Sequence, residues 1–159
     1  MEGKRTAELV KRYLRENQER IVGLLCELVE AESITCHEEQ AVKIAEAGMK
    51  AAGFDEVHID SWGNVIGRVG SGPVTVLFDA HLDVVDAEGQ DWATPPFSAV
   101  RKDSRIYGRG TVDDKGPFTA ALFAAAAVKE LGIAEECTIY VVGSVAEEDC
   151  EGLALGKAV

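Results

Sequence analysis

Residues 107–116 read YGRGTVDDKG and lie between two apolar runs, VTVLF at 74–78 and TIYVVG at 138–143. Gly108, Gly110 and Gly116 permit turns that a Cβ would obstruct. Asp113 and Asp114 stand where a helix is predicted to open, near Lys115 and Pro117. Proline suits a first helical turn, because the N–H it lacks has no partner there. Carboxylates at that end face the positive pole of the helix dipole, so one of the two aspartates can be explained as an N-cap alone. The other, turned away from the helix, calls for a different cation. Two clusters elsewhere carry matching groups: AHLD at 80–83 and AEEDCEG at 146–152.

The flanking runs set the expected fold. VTVLF is continuous, apolar and β-branched, which predicts a strand buried on both faces, as in a parallel sheet. TIYVVG predicts a second buried strand. Between them, 117–131 is alanine-rich and apolar nearly all round, a helix covered on both sides and ended by Gly132. Strand, crossover helix, strand is the right-handed parallel unit. Ligands of open parallel sheets sit outside the carboxyl ends of the strands. His81 follows the first strand, Glu147 and Glu148 follow the second, and Asp113 opens the helix at the same edge. One topological statement thus brings four residues to one rim.

The rest of the chain supports an α/β domain with a mostly parallel mixed sheet flanked by helices. Residues 6–30 predict one helix, with Val10, Leu14, Ile21, Leu25 and Leu28 on its apolar stripe. Thr35 and Glu38 have the spacing of a capping box. The helix behind them runs to about Ala52, buries Val42, Ala45, Met49 and Ala52, and stops at Gly53. Short strands follow at 57–60 and 64–69, joined through Ser61, Trp62 and Gly63. Residues 84–104 form a long connection with minor strands, and 153–159 resemble the opening of a further helix.

At 159 residues the chain has the size of one domain with a real core. Its net charge of −12 argues against nucleic acid and anionic membrane surfaces, which need basic patches. Four cysteines without CxxC spacing read as reduced thiols of a cytoplasmic protein. No leader or membrane span is recognised.

A His nitrogen with carboxylate oxygens suits Zn²⁺, with Mn²⁺ or Co²⁺ as alternatives. Asp83, two residues after His81, is placed to accept from the second ring nitrogen. Of two adjacent glutamates, one can bind metal and the other serve as base. A shared Asp113 would hold two ions about 3.5–4 Å apart. Each piece alone has a plainer reading: HxD is common, DDKG is a helix cap, and EE is a solvated face. Their order and their placement at element ends favour the shared site.

These residues resemble the dinuclear zinc amidohydrolases and peptidases. The family includes acetylornithine deacetylase, succinyl-diaminopimelate desuccinylase, aminoacylase, glutamate carboxypeptidase and carnosinase-like dipeptidases. The resemblance rests on AHLD at 80–83, WATPPFSAV at 92–100, YGRGTVDDKG at 107–116, EED at 147–149 and the Gly63-Asn64 step. AEEDCEG most resembles the selenium-metabolism hydrolase branch. The resemblance implies that His81 binds one zinc, Glu148 binds the other, and Asp113 bridges them through a cis peptide to Asp114. It implies Glu147 as general base and acid, and Asp83 as the group that orients His81. Lys115 is expected in a structural charge pair, and His37 and His58 are expected to be exposed.

The family is more than twice this length. It adds a third ligand for each metal further along, and an inserted domain for substrate contacts and a homodimer. This chain is therefore expected to be the amino-terminal part of the catalytic domain, without the carboxy-terminal strands and the lid, and to have an unpaired sheet edge. The expected activity is hydrolysis of amide or peptide bonds in small N-acyl amino acids or peptides, incomplete in this chain alone. Two other readings stand beside it: a catalytically dead metal-binding or interaction module, and a phosphoesterase, which the motif match disfavours.

Overall fold

The computed structural model describes residues 2–133, 135–150 and 154–157. The amino-terminal helix predicted as one piece is two, α1 (Glu2–Glu16) and α2 (Gln18–Glu30). Asn17 makes the break. Its main-chain N–H and its side-chain amide both donate to the Tyr13 carbonyl at 3.0 Å, and Arg20 donates to its Oδ1 at 2.7 Å. An asparagine that satisfies the backbone locally competes with the helix ladder. The buried stripe shifts with the break. Tyr13, Leu24, Leu28 and Val29 are inside, and Leu14 is exposed.

The next helix, α3 (Glu39–Ala51), buries Ala41, Val42, Ala45 and Met49 as its periodicity predicts. The expected capping box is absent. Glu38 occupies the N-cap position without a side-chain capping bond, and the Thr35 hydroxyl donates to Asp83 instead.

Strands β1 (Glu56–Ile59), β2 (Val65–Val69), β3 (Val74–His81) and β6 (Cys137–Ser144) form a sheet in the order β1-β2-β6-β3. Between β3 and β6 in the chain come the hairpin β4 (Val100–Lys102) with β5 (Arg105–Tyr107), and then α4 (Lys115–Leu131). The sheet is mixed and helix-flanked, as expected. Its parallel character is confined to the β3–β6 pair, and β1–β2 and β2–β6 are antiparallel. The β3–β6 register runs from Val74 opposite Cys137 to His81 opposite Ser144, so both strands end at one level.

Strand β3 departs from its sequence reading. It is an edge strand, and Val74, Leu77 and Phe78 are 51%, 42% and 43% exposed. Insertion of β6 between β2 and β3 leaves β3 one neighbour. The unpaired edge expected near the last strand therefore lies on β3. Only Ala80 and His81, at the strand's end, are buried.

The core gathers where α2 packs on α3 and α4, and those two helices pack on the sheet. Leu28, Met49, Phe118, Leu122 and Val141 are wholly buried. Truncating one such residue to alanine costs about 2–5 kcal/mol. Helix α4 buries Phe118, Thr119, Leu122, Phe123 and Ala125–Ala127, as its apolar circumference requires, and Gly132 ends it at φ +60°. Past Ala154 there is a single 3₁₀ turn, Leu155–Lys157. Residues 153, 158 and 159 of the helix expected there, and 151–152 of the acidic cluster, lie outside the described residues.

Candidate metal centre

His81 is the last residue of β3, Glu147 and Glu148 follow the parallel β6, and Asp113 precedes α4. The chain reaches one rim from three directions. Nε2 of His81 lies 3.0 Å from Oδ1 of Asp113 and 3.7 Å from Oε2 of Glu147. Ligand atoms of His81, Asp113 and Glu148 all lie within 4.8 Å of one another. His81 is buried, Glu148 half-buried and Asp113 exposed. The Asp113–Asp114 peptide is cis.

The donor set itself tests whether a cation fits. Nδ1 of His81 lies 3.0 Å from the Asp83 main-chain carbonyl. A carbonyl only accepts, so Nδ1 carries the hydrogen and the neutral ring has a bare Nε2. That bare nitrogen faces a carboxylate oxygen, and two acceptors at 3.0 Å require a proton or a cation between them. With a proton there, burial works against the charge, but hydrogen bonding to Asp83 and Asp113 overcomes it and pushes His81 up to about 10. A divalent ion satisfies the same need, and the residues fit one.

The Asp83 side chain stands against the second ring nitrogen of His81. The main-chain carbonyl of Asp83, rather than its carboxylate, makes the closer approach to His81; Oδ1 is 3.4 Å from Nδ1. The carboxylate is fully buried and accepts from Thr35 Oγ1 at 2.8 Å, Glu148 N at 3.0 Å and Glu147 N at 3.1 Å. Burial alone would raise its pKa. Hydrogen bonds from His81, from these two amides and from Thr35 bring it down to about 2. Asp83 is thus a buried anion that holds the main chain of the acid pair beside His81.

Lys115 forms no charge pair among the described residues. It is wholly buried, and its Nζ donates to the carbonyls of Leu28 at 2.8 Å and Ala31 at 2.9 Å. Burial brings its pKa down to about 8. It ties the start of α4, and so Asp113, to the end of α2. His37 and His58 are exposed, as expected.

Several contributors escaped the sequence reading. Ser33 accepts from Val84 N through its carbonyl at 2.9 Å and donates its hydroxyl to Leu82 O at 2.7 Å, which lays 33–35 alongside 82–84. Buried Asn64 accepts from Val145 N at 3.0 Å and donates to Asp60 and to Ala154 O, which fixes the exit of β6. Asp79, two residues before His81 and on the same face of β3, keeps an exposed surface, and partial desolvation pushes it above the usual carboxylate range. Asp79 had a local signal, the strand period of two, and Asn64, Trp92, Pro96 and Arg109 stood in motifs that carry the resemblance without a role assigned to them. Arg109 stacks over Trp92 at 5.0 Å and its N–H donates to Pro96 O at 2.7 Å, which pins YGRG to WATPPF.

Comparison with known proteins agrees with this fold. The profile of peptidase family M20/M25/M40 matches residues 77–157. YgeY of Escherichia coli, described as an uncharacterized protein, is 36% identical over 147 residues, covering 92% of this chain and 36% of its own length. A probable succinyl-diaminopimelate desuccinylase of Staphylococcus epidermidis is 30% identical over 131 residues, 80% of this chain and 32% of its own. The chain spans about a third of the length of these curated relatives. Human carnosine dipeptidase 1 superposes with a TM-score of 0.81 at 26% identity, over 96% of this chain and 37% of that one. An M20 metallo-carboxypeptidase of Sulfolobus solfataricus shares the fold, with a TM-score of 0.76 at 22% identity, over 87% of this chain and 33% of that one.

Proposed function

The chain belongs to peptidase family M20/M25/M40, and from that premise we propose that it carries the amino-terminal half-site of a metal-dependent hydrolase of amide or peptide bonds. The substrates proposed for the whole protein are small N-acyl amino acids or peptides. The observation that carries the reading is the convergence of His81, Asp113 and Glu148 within 4.8 Å. We assign these three as ligands of zinc, with Asp113 shared between two ions, and with Co²⁺ or Mn²⁺ able to substitute.

When bound, the ions supply Lewis acidity at the scissile carbonyl. The chain's own residues do the rest. His81 offers Nε2 because Nδ1–H is committed to the Asp83 carbonyl. Glu147, whose Oε2 stays 3.7 Å from His81, is the base that takes a proton from water and returns it to the leaving nitrogen. Asp83 keeps Glu147 and Glu148 in register through their amides. Two protein ligands per ion from these residues is fewer than the three usual at catalytic zinc. This supports the view that the chain alone binds weakly and does not turn over.

No helix among the described residues is long and apolar enough to cross a membrane. All four cysteines are free, which supports a reducing, cytoplasmic setting. Competition titration of Zn²⁺ against a chromophoric chelator tests the site. Asp113→Ala should weaken binding more than Glu148→Ala, because Asp113 serves both ions. Equal affinity of Asp113→Ala and the parent chain would remove the shared role.

A further inference from the structure

Two non-glycine residues with left-handed backbone stand beside the acid pair: Cys36 at φ +71° and Ala146 at φ +55°. Side-chain-bearing residues avoid this region and persist there only when their surroundings hold them. Here both are held by one atom. Oε1 of Glu38 accepts the Cys36 N–H at 2.9 Å and the Ala146 N–H at 3.0 Å. Glu38 is 6% exposed and makes no capping bond to α3, so its carboxylate is not spent on the helix it precedes.

Ala146 is the hinge between β6 and the acid pair. The left-handed turn there takes the chain out of the sheet. The next two N–H groups then point at Asp83, and Glu147 and Glu148 come beside His81. Asp83 holds the same two segments from the other side, accepting from Thr35 and from Glu148 on one oxygen. Segments 35–36 and 146–148 are therefore clamped by two buried carboxylates.

We infer that Glu38 is a positioning residue for Glu147 and Glu148, acting through the hydrogen bond that holds Ala146 in its left-handed turn. The inference rests on the metal-site reading for its effect on ion binding, and on geometry alone for its effect on the 146–148 segment. What the turn needs from residue 38 is an oxygen at that reach, not a negative charge.

Two conservative variants of the full chain separate those requirements. Glu38→Gln keeps the reach and removes the charge. Glu38→Asp keeps the charge and shortens the arm by one methylene. Two readouts apply. Without metal, amide hydrogen exchange at Glu147 and Glu148 reports the segment. With Co²⁺ alone as probe, the visible d–d absorption reports affinity and geometry. Circular dichroism verifies that each variant is folded.

Glu38→Gln should match the parent chain in both readouts to within about twofold, while Glu38→Asp should exchange faster at both amides and bind Co²⁺ about tenfold more weakly, the scale seen when a supporting partner of a metal ligand is lost. Parent-like behaviour of Glu38→Asp overturns the inference. So does a Glu38→Gln variant that falls as far as Glu38→Asp, since charge would then be the requirement. If the parent chain itself binds no Co²⁺, the metal-site reading fails, and the exchange data still decide the role of Glu38.

Discussion

Thr35 and Glu148 meet on one oxygen of Asp83. The threonine hydroxyl donates at 2.8 Å and the glutamate N–H at 3.0 Å, both to Oδ2, while Glu147 N–H takes Oδ1 at 3.1 Å. Asp83→Ala leaves three donors without an acceptor in a closed space. Each unmet buried donor costs about 1–3 kcal/mol, so the variant should lose on the order of 3 kcal/mol. Urea unfolding of the metal-free chain measures it. A loss below about 1 kcal/mol would mean that water replaces the carboxylate.

Lys115 is held by two carbonyls and, among the described residues, no carboxylate. Lys115→Met keeps the aliphatic volume and strands the carbonyls of Leu28 and Ala31. It should cost about 1–3 kcal/mol at neutral pH, less whatever is recovered by removing a buried charge. Unfolding of the two chains side by side gives the difference. A more stable methionine variant would show that the buried charge outweighs its hydrogen bonds.

Asp55 sits at the other end of the sheet. The hydrogen bond from Lys129 at 2.6 Å, and then that from Gly70 N–H, hold its carboxyl below the usual range. A depressed folded pKa gives stability that is present above the unfolded value, about 3.9, and lost as pH falls through the folded one. The unfolding midpoint of the parent chain should therefore exceed that of Asp55→Asn at pH 6, and the gap should close as pH falls below about 4. A gap that is constant with pH would exclude the pair as its source.

Leu77 and Phe78 stand exposed on the edge strand. Such an edge invites pairing with another chain. Leu77→Lys should reduce self-association, read by light scattering across a concentration series, with a stability change within about 0.5 kcal/mol. Unchanged association would place the sticky surface elsewhere.

Gly143 lies opposite Val65 on β2 and Ala80 on β3, and a Cβ there would come within 2.8 Å of Leu82 and Val65 and 2.9 Å of Phe118. Gly143→Ala should cost about 1–3 kcal/mol by overpacking, one residue along from the level of the proposed ligand His81. Thermal unfolding tests this. A neutral result would show that Phe118 can move aside.

The rim was legible because strand ends and a helix start are local signals. VTVLF, DDKG and TIYVVG each announce an element, and one rule about parallel strands places His81, Asp113 and Glu148 together. The failures share a cause. VTVLF reads as buried because an apolar run does not say how many neighbours a strand has. Thr35 and Glu38 have capping-box spacing, yet the Thr35 hydroxyl goes to a partner 48 residues away and Glu38 adds to its local Cys36 partner one 108 residues away, where no local pattern points. Lys115 looks like a surface charge beside two aspartates, and only packing turns it inward to the α2 carbonyls. Asn17 breaks a helix whose periodicity continues across it.

The order β1-β2-β6-β3 bears on how the chain is made. The ribosome delivers β2 and β3 early and almost together, but the strand that joins them is synthesised some sixty residues after β3. Until residue 144 has cleared the exit tunnel, the two halves of the sheet have no common partner, and their apolar edges face solvent. A nascent chain arrested before β6 is thus the species most exposed to chaperones and to mispairing.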